Sequence, residues 1–334
     1  MKAGMKAGMN GQPLLSVTDL TVEFRTRSGR VHALDRVSFD VAPGEILGIV
    51  GESGSGKSVT AFSLLGLLGT AARVTAGTAM FGGRDLLRLA PREMNEIRGR
   101  DLSIVFQNPR TALNPIRAVG TQIADVLARH DPGSAGEIRA KVLAALRQVR
   151  IADPERRSRA FPFELSGGMC QRIGIAMALA CSPKLLIADE PTTGLDVTTQ
   201  AVIMDLFRDQ VRDRGGRGGV SAILITHDLA LASAYCDRIV VMHAGHVVET
   251  APVAALFDRP RHPYTAKLLR SVPSSVDSID LLQPIDGALP DLRRDDLPPC
   301  RFSERCERHQ AICDTEALDQ SPAAGHRVLC RLPL

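Results

Sequence analysis

Short apolar runs and helically spaced apolar residues alternate along most of the chain. The apolar runs predict strands at Leu15 to Phe24, Val31 to Val41, Ile46 to Val50, Lys184 to Ala188 and Ala222 to Ile225. The helical spacing predicts helices at Ser58 to Leu68, Thr121 to Ala128 and Ile138 to Val149. Strands that alternate with helices predict a parallel α/β sheet, and the turn at residues 27–29 places the first two strands at its antiparallel edge.

Two regions depart from this alternation. Between residues 108 and 165 the pattern is helical only, which predicts a helical subdomain inserted into the α/β domain. Beyond Thr250 prolines become dense and periodicity fades, so residues 251–334 are predicted to form a small, loop-rich C-terminal domain. The main domain is then residues 14–250. Residues 1–13 lack the apolar segment of a secretory signal and are predicted to be disordered.

Charge and composition narrow the possible functions. The 334 residues include 41 Lys and Arg against 37 Asp and Glu, with the two signs interspersed, so no nucleic-acid-binding face is indicated. The apolar runs fall short of the roughly 20 residues that a membrane-spanning helix needs. Any membrane role is therefore expected to come through a partner.

A glycine-rich segment lies between the third strand and the first helix. Gly51 to Ser58 reads G-E-S-G-S-G-K-S, which matches a P-loop in the strand-to-helix context that a P-loop requires. Its backbone N–H groups would surround phosphate oxygens, Lys57 would reach the β- and γ-phosphates, and the Ser58 hydroxyl would face Mg²⁺. The segment predicts a nucleoside triphosphate site.

Polar residues follow three further apolar runs, where parallel strands would bring them to the P-loop. Asp189 is predicted to help hold Mg²⁺, and Glu190 to orient and polarise water. His227 is predicted to sense the γ-phosphate. Gln107 follows residues 103–106 at the start of the helical insertion, where it is predicted to touch metal or water.

A second candidate anion site precedes another helical run. Leu165 to Met169 reads L-S-G-G-M, in which Ser166 has the character of a helix N-cap and the two glycines expose N–H donors. One nucleotide needs only one such site. Two sites in one chain therefore predict that each nucleotide is shared between two chains.

The order of these motifs resembles the nucleotide-binding subunits of ATP-binding cassette (ABC) transporters over roughly residues 14 to 250. The resemblance implies a P-loop NTPase fold, with a RecA-like parallel sheet core, an antiparallel β edge and an inserted helical subdomain, here followed by a small cysteine-containing appendage. It implies that Phe24 stacks on adenine, although this position also suits a core residue. It also implies that Asp196 lies in a loop at the dimer interface. Met169 departs from the family pattern, which usually has Gln there.

The resemblance assigns residues to roles. Those implied to act in catalysis are Glu190, His227 and Gln107. Those implied to bind the chain's own nucleotide are Phe24, Gly51, Ser53, Gly54, Gly56, Lys57, Ser58, Val59, Gln107 and Asp189. Those implied to hold Mg²⁺ are Ser58, Gln107 and Asp189. Those implied to bind the partner's ATP are Ser166, Gly167, Gly168 and Asp196.

The C-terminal domain carries separate signals. Residues 262–265 (H-P-Y-T), together with residues 107–109 (Q-N-P) and 113–115 (L-N-P), resemble the oligopeptide/dipeptide importer branch of the family. Four of the seven cysteines stand close together, namely Cys300, Cys306, Cys313 and Cys330. In a chain predicted to be cytosolic, a metal is favoured over disulfides, and zinc, an iron–sulfur cluster and unliganded thiols all remain open from the residues alone. Similar tails in the importer branch imply a four-iron four-sulfur cluster.

The combined prediction is an ATP-hydrolysing subunit at the cytoplasmic face of the inner (plasma) membrane that energises import of dipeptides or oligopeptides. Its implied cofactors are ATP, Mg²⁺ and the cluster. Its implied partners are a second, related ABC ATPase subunit, two transmembrane permeases and an extracytoplasmic solute-binding protein, with no nucleic acid. The alternative is a soluble ABC ATPase acting on nucleic acid or ribosomes. A single cassette without a long coiled-coil insertion or a basic face speaks against it.

Overall fold

The fold is taken from a computed structural model of the protein, which describes residues 12–212, 219–271, 284–316, 318, 321–323 and 325–334. The predicted disordered segment 1–13 lies almost wholly outside these residues. The strands are β1 (Leu15–Thr26), β2 (Gly29–Val41), β3 (Ile46–Val50), β4 (Ala72–Phe81), β5 (Arg84–Asp85), β6 (Leu102–Val105), β7 (Leu185–Asp189), β8 (Ser221–Thr226), β9 (Arg238–His243), β10 (His246–Pro252), β11 (Ser321–Ala323) and β12 (His326–Val328). The helices are α1 (Lys57–Leu64), α2 (Pro91–Ile97), α3 (Pro109–Ala112), α4 (Val119–His130), α5 (Ala135–Gln148), α6 (Pro154–Arg157), α7 (Gly167–Leu179), α8 (Val197–Arg212), α9 (Leu229–Tyr235), α10 (Val253–Asp258), α11 (Pro263–Arg270) and α12 (Ile312–Thr315).

An eight-stranded sheet forms the centre of the protein, in the strand order β11-β12-β10-β9-β3-β8-β7-β6. From β9 to β6 every neighbouring pair is parallel, which confirms the predicted parallel α/β core. The strands β3, β7 and β8 are buried along their whole length. Burial on both faces explains why these strands are continuous apolar runs instead of alternating ones.

The register of the parallel strands sets which residues leave the sheet together. Val50, the last residue of β3, pairs with Thr226, the last residue of β8. Asp189, the last residue of β7, pairs with Ile225 of β8. The P-loop, the acidic pair and His227 therefore emerge at the same carboxyl edge, as expected for a ligand site in an α/β sheet.

The predicted antiparallel strands form a sheet of their own, in the order β2-β1-β4-β5, and do not extend the main sheet. Burial alternates along β1 and β2, so only one face of this sheet is apolar. That face packs onto the main sheet, because Leu20 and Leu34 share a buried cluster with Ile49 of β3.

Most predicted boundaries shift by one to three residues in the structure, and the end of α1 shifts by four. Helix α1 ends at Leu64 instead of Leu68, because Gly66 takes a positive φ of 60°, which breaks the helix. Strand β1 continues to Thr26, two residues beyond Phe24, and its hairpin partner β2 begins at Gly29.

The region predicted as a helical subdomain contains α3 to α6 and packs on α7. Ile123 of α4 and Leu146 of α5 are buried in one cluster with Ile173 of α7. A reciprocal capping box between Ser134 and Glu137 begins α5. Within the described ranges, no helix has the length and apolar character that a membrane crossing requires.

The C-terminal region is joined to the main sheet. Strand β12 pairs with β10, which itself contains the predicted domain boundary at residue 250. The carboxylate of Glu249, buried in β10, accepts hydrogen bonds from the backbone N–H groups of Arg261 and His262 and contacts Nε2 of His326 at 2.6 Å. One buried carboxylate thus ties two separate parts of the C-terminal region to one strand.

Arg301 is a second anchor between the C-terminal region and the main domain. Its buried guanidinium donates to the carbonyl oxygen of Ala244 at 2.5 Å and to Oδ2 of Asp35 at 3.1 Å. The hydrogen bond with His246 is the largest effect, and together with the charges of His246 and Arg301 it outweighs burial and lowers the pKa of Asp35 to about 2. The Asp35 carboxylate therefore stays ionised and paired in the folded protein.

We predict that Arg301→Met lowers the free energy of unfolding by about 2 kcal/mol, because it leaves Asp35 and the Ala244 carbonyl with fewer partners. Denaturant titration of the full chain measures this value. The pKa of Asp35 is lowered from 3.8 to about 2, chiefly by its hydrogen bond with His246. The ionised carboxylate therefore stabilises the fold above pH 3.8, and that contribution is lost as pH falls through 2.

The matched control is Arg36→Met, since Arg36 contacts the same carboxylate from an exposed position at 3.6 Å. That variant is expected to change the free energy of unfolding by less than about 0.5 kcal/mol. Equal losses in the two variants would contradict the anchoring role of Arg301.

Candidate nucleotide site

The predicted P-loop connects β3 to α1 with the backbone that phosphate binding requires. Gly51 takes a φ of 150°, and a Cβ there would lie 2.1 Å from the carbonyl oxygen of Met242, so only glycine fits. Gly56 is the N-cap of α1 with a φ of 104°. The loop therefore presents backbone N–H groups at the start of a helix, where an anion is stabilised.

Lys57 is held inside the loop. Its Nζ donates to the carbonyl oxygens of Gly51 at 2.8 Å and Glu52 at 2.9 Å. Burial lowers the pKa of Lys57, and the nearby acidic residues oppose that shift. Among the described residues, the hydrogen bonds of the ammonium group go to neutral carbonyl oxygens, which a phosphate group can replace.

The predicted Mg²⁺ ligands Ser58 and Asp189 are brought together. Oγ of Ser58 donates to Oδ1 of Asp189 at 3.1 Å. Burial raises the pKa of Asp189, Ser58 opposes this shift, and the neighbouring Glu190 adds to it. A hydroxyl and a carboxylate in contact are hard oxygen donors of the kind that Mg²⁺ binds, so these residues fit the ion.

Glu190 lies at the centre of the other predicted catalytic residues. Oε2 of Glu190 accepts hydrogen bonds from Nε2 of Gln107 at 2.8 Å and from Oγ1 of Thr193 at 2.9 Å. Its other oxygen, Oε1, lies 3.4 Å from Nδ1 of His227. Three side chains from different segments thus fix one carboxylate beside the P-loop edge.

Thr193 was missed from the sequence. It lies three residues after Glu190 in a tight turn, closed by a hydrogen bond from its N–H to the carbonyl oxygen of Glu190 at 3.2 Å. Glu190 itself takes a positive φ of 46°. That local geometry turns the Thr193 hydroxyl back onto the carboxylate. The sequence signal that could have identified Thr193 is its position in a short turn directly after the acidic pair.

The second candidate anion site has the predicted helix cap. Oγ of Ser166 accepts from the N–H of Met169 at 3.3 Å at the start of α7. Ser166, Gly167, Gly168 and Asp196 line one surface cavity of ≈ 860 Å³, together with Gln107. The P-loop lies wholly within the described residues, and none of its residues lines this cavity. Within one chain the two candidate anion sites are therefore separate.

Two implied nucleotide contacts have less support from side-chain geometry. Phe24 lies near the end of β1 and is half-buried against the core of the antiparallel sheet. Val59, in the first turn of α1, packs against the same core. Both stay predictions as nucleotide contacts.

The four C-terminal cysteines line one cavity, which His262 and Phe302 also line. The cavity encloses only ≈ 10 Å³, and the described residues include no group of His, Cys, Asp or Glu arranged to hold a metal ion. Burial raises the pKa of Cys300 to about 12. The donor type therefore suits a thiophilic metal centre, whereas the present spacing of the side chains does not.

Comparison with known proteins agrees with both parts of the chain. Residues 34–193 match the family described as ABC transporter, and residues 248–313 match the family described as oligopeptide/dipeptide transporter, C-terminal region. The chain is 48% identical over 323 residues to a dipeptide transport ATP-binding protein of Bacillus subtilis, covering 96% of this chain and 95% of that protein. It is 42% identical to a dipeptide transport ATP-binding protein of Escherichia coli, with 96% and 97% covered.

Solved structures with the same fold are ATP-binding cassettes. One is a dimeric cassette in a post-hydrolysis state bound to ADP and Pi, which has a TM-score of 0.64 and 27% identity, with 72% of this chain and 98% of that chain covered. Another belongs to an ABC transporter complex of Clostridium perfringens, with a TM-score of 0.60, 28% identity and coverage of 74% and 91%. The chain belongs to the ATP-binding proteins of ABC transporters that carry the oligopeptide/dipeptide transporter C-terminal region.

Proposed function

We propose that this chain hydrolyses ATP to energise the import of dipeptides or oligopeptides through partner permeases. The observation that carries the proposal is the Glu190 carboxylate, held by Gln107 and Thr193 beside Ser58 and Asp189. Membership of the ABC family and the matching C-terminal region agree with it. The alternative, an ATPase acting on nucleic acid or ribosomes, has no support from the relatives, which are named for peptide or dipeptide transport.

The chemistry assigned to the site follows from its geometry. The P-loop amides and Lys57 bind the phosphates and stabilise the charge that develops during transfer. Ser58 and Asp189, with Gln107, are the proposed ligands of Mg²⁺, which would neutralise charge on the β- and γ-phosphates. Glu190 orients and polarises the attacking water. His227, next to Glu190, contacts the γ-phosphate and responds to its loss.

The proposal requires two cassettes. Ser166, Gly167, Gly168 and Asp196 share a cavity that excludes the P-loop of their own chain. We assign them to the ATP bound by the P-loop of a second, related cassette. Closure of the two cassettes on ATP would switch the two permeases from opening on one side of the membrane to opening on the other. Hydrolysis would return the cassettes and the permeases to their starting state. An extracytoplasmic solute-binding protein would supply the peptide, and this chain would act at the cytoplasmic face of the inner membrane.

We also assign the four C-terminal cysteines to an iron–sulfur cluster. The support is the convergence of four thiols on one cavity, with a spacing unlike the paired C-x2-C motif of zinc sites. The cavity would have to open to admit the cluster. The nucleotide chemistry proposed above does not depend on it.

We predict that Glu190→Gln lowers ATP hydrolysis at least about 100-fold while binding of Mg-ATP changes by less than about twofold, because the amide cannot polarise water as the carboxylate does. Hydrolysis is measured as phosphate release, and binding by titration with a fluorescent ATP analogue. Glu155→Gln, at an exposed ion pair with Arg147, is the control. Undiminished turnover in the Glu190 variant would remove Glu190 from the role proposed here.

We predict that affinity purification of this chain from its native membrane recovers two permeases and a second cassette. Hydrolysis by that assembly should rise when the cognate binding protein and a dipeptide are added together. A mixture of free amino acids with the same binding protein is the control. Recovery of ribosomal proteins or nucleic acid without a permease would overturn the transport assignment and leave the ATPase chemistry standing.

For the cysteines, we predict that anaerobically purified protein contains iron and sulfide and that Cys306→Ser removes both. Cys181 lies outside the cavity, so Cys181→Ser should retain them. Metal analysis and visible absorbance measure the result. The cluster assignment would be contradicted by zinc in stoichiometric amount, or by the absence of metal from the unmodified protein and both variants.

A further inference from the structure

Glu52, within the P-loop, is paired with an arginine of the C-terminal region. Nη1 of Arg305 donates to one carboxylate oxygen of Glu52 at 2.8 Å, and Nη2 donates to the other at 2.9 Å. The Arg305 side chain is only 5% exposed. Two parallel charge-assisted hydrogen bonds fix orientation as well as distance. The C-terminal region therefore holds one residue of the nucleotide-binding loop in a defined position.

The same residue is held a second time, through its backbone. The N–H of Glu52 donates to Oη of Tyr264 at 3.0 Å. Tyr264 is fully buried, and its ring contacts the rings of His243 and Phe302 at centroid distances of 4.4 and 5.3 Å. Packing on both rings leaves the Tyr264 hydroxyl little freedom. The contact to the loop is therefore made by a rigid side chain.

The electrostatics of Glu52 depend on this pairing. Burial raises the pKa of Glu52, but His243 and Arg305 outweigh that effect and lower it to about 2. The carboxylate is thus ionised at any working pH. Without Arg305 this negative charge, inside a loop that binds phosphate, would keep only its contact with Nδ1 of His243 at 3.6 Å.

Glu52 also contacts the residue that meets the phosphates. Its carbonyl oxygen accepts from Nζ of Lys57 at 2.9 Å and from the N–H of Ser55 at 3.2 Å. The position of the Glu52 peptide therefore sets where Lys57 rests and how the following loop turns. Arg305 holds the side-chain carboxylate of Glu52, and Tyr264 holds its backbone N–H.

We propose that Arg305 and Tyr264 are positioning residues for ATP binding, acting through Glu52 to hold the P-loop in its phosphate-binding shape. The inference rests on the nucleotide site proposed above and goes beyond it, because it makes affinity for ATP a property of the C-terminal region. Neither residue takes part in the chemical step.

The first test compares binding of Mg-ATP to the full chain and to Arg305→Met, by titration with a fluorescent ATP analogue. Loss of the bidentate pair is expected to weaken binding about tenfold. The control is Arg293→Met, since Arg293 lies in the same region but pairs with Asp291 on the surface. Equal affinities for the two variants would overturn the proposal.

Two further variants separate positioning from general loss of structure. Tyr264→Phe removes only the hydroxyl and is expected to raise KM for ATP about threefold with kcat changed less than about twofold. In a Glu52→Gln background, adding Arg305→Met is expected to weaken binding less than about twofold, because the effect passes through the missing carboxylate. A full tenfold loss in that background, or a fall in kcat alone, would contradict the proposed route.

Lys57→Ala distinguishes failure of this inference from failure of the nucleotide site. If Lys57→Ala leaves ATP binding intact, the proposed site itself is wrong. If it abolishes binding while Arg305→Met matches the Arg293→Met control, only the positioning role is wrong. Thermal unfolding of each variant identifies any that has lost its fold, in which case Tyr264→Phe decides the outcome.

Discussion

The parallel pairing of β3, β8 and β7 is the constraint on which the nucleotide site depends. These strands are buried on both faces, so their backbone groups must pair within the sheet and their register cannot slip without moving apolar side chains into contact with polar loops. Fixed register brings the P-loop, Asp189 and Glu190 to one edge. The side chains around Glu190 reach one another because these strands end side by side at that edge.

Much of this edge could be predicted from sequence because its signals are local. A glycine-rich loop between an apolar strand and a helix, or two carboxylates directly after an apolar run, is visible within a few residues. The parallel direction of the central strands could be predicted because these strands alternate with helices along the chain. The separate antiparallel sheet could not be predicted, because the alternating burial of β1 and β2 does not show which apolar surface they cover.

The contacts of the C-terminal region with the main domain were beyond sequence reasoning for a different reason. In the sequence, Tyr264 carries only a family resemblance, and Arg305 stands in no motif. Their partner Glu52 lies 212 and 253 residues away in the chain. No local pattern marks such pairs, and an arginine beside a cysteine predicts only an exposed charge. Likewise, the closeness of the four cysteines in the sequence favoured a metal site but did not indicate that their cavity encloses only ≈ 10 Å³.

The pairing of Glu52 with Arg305 has a consequence for biosynthesis. The P-loop leaves the ribosome long before Arg305, which follows 253 residues later. Glu52 has neither partner until Tyr264 is made 212 residues later, and it lacks the guanidinium until Arg305 is made. The six strands β3 and β6 to β10 all precede Arg305, whereas β11, β12 and the guanidinium that holds the phosphate loop come at or after it. On the positioning role proposed for Arg305, a chain that stops before residue 305 binds ATP less tightly than the full chain.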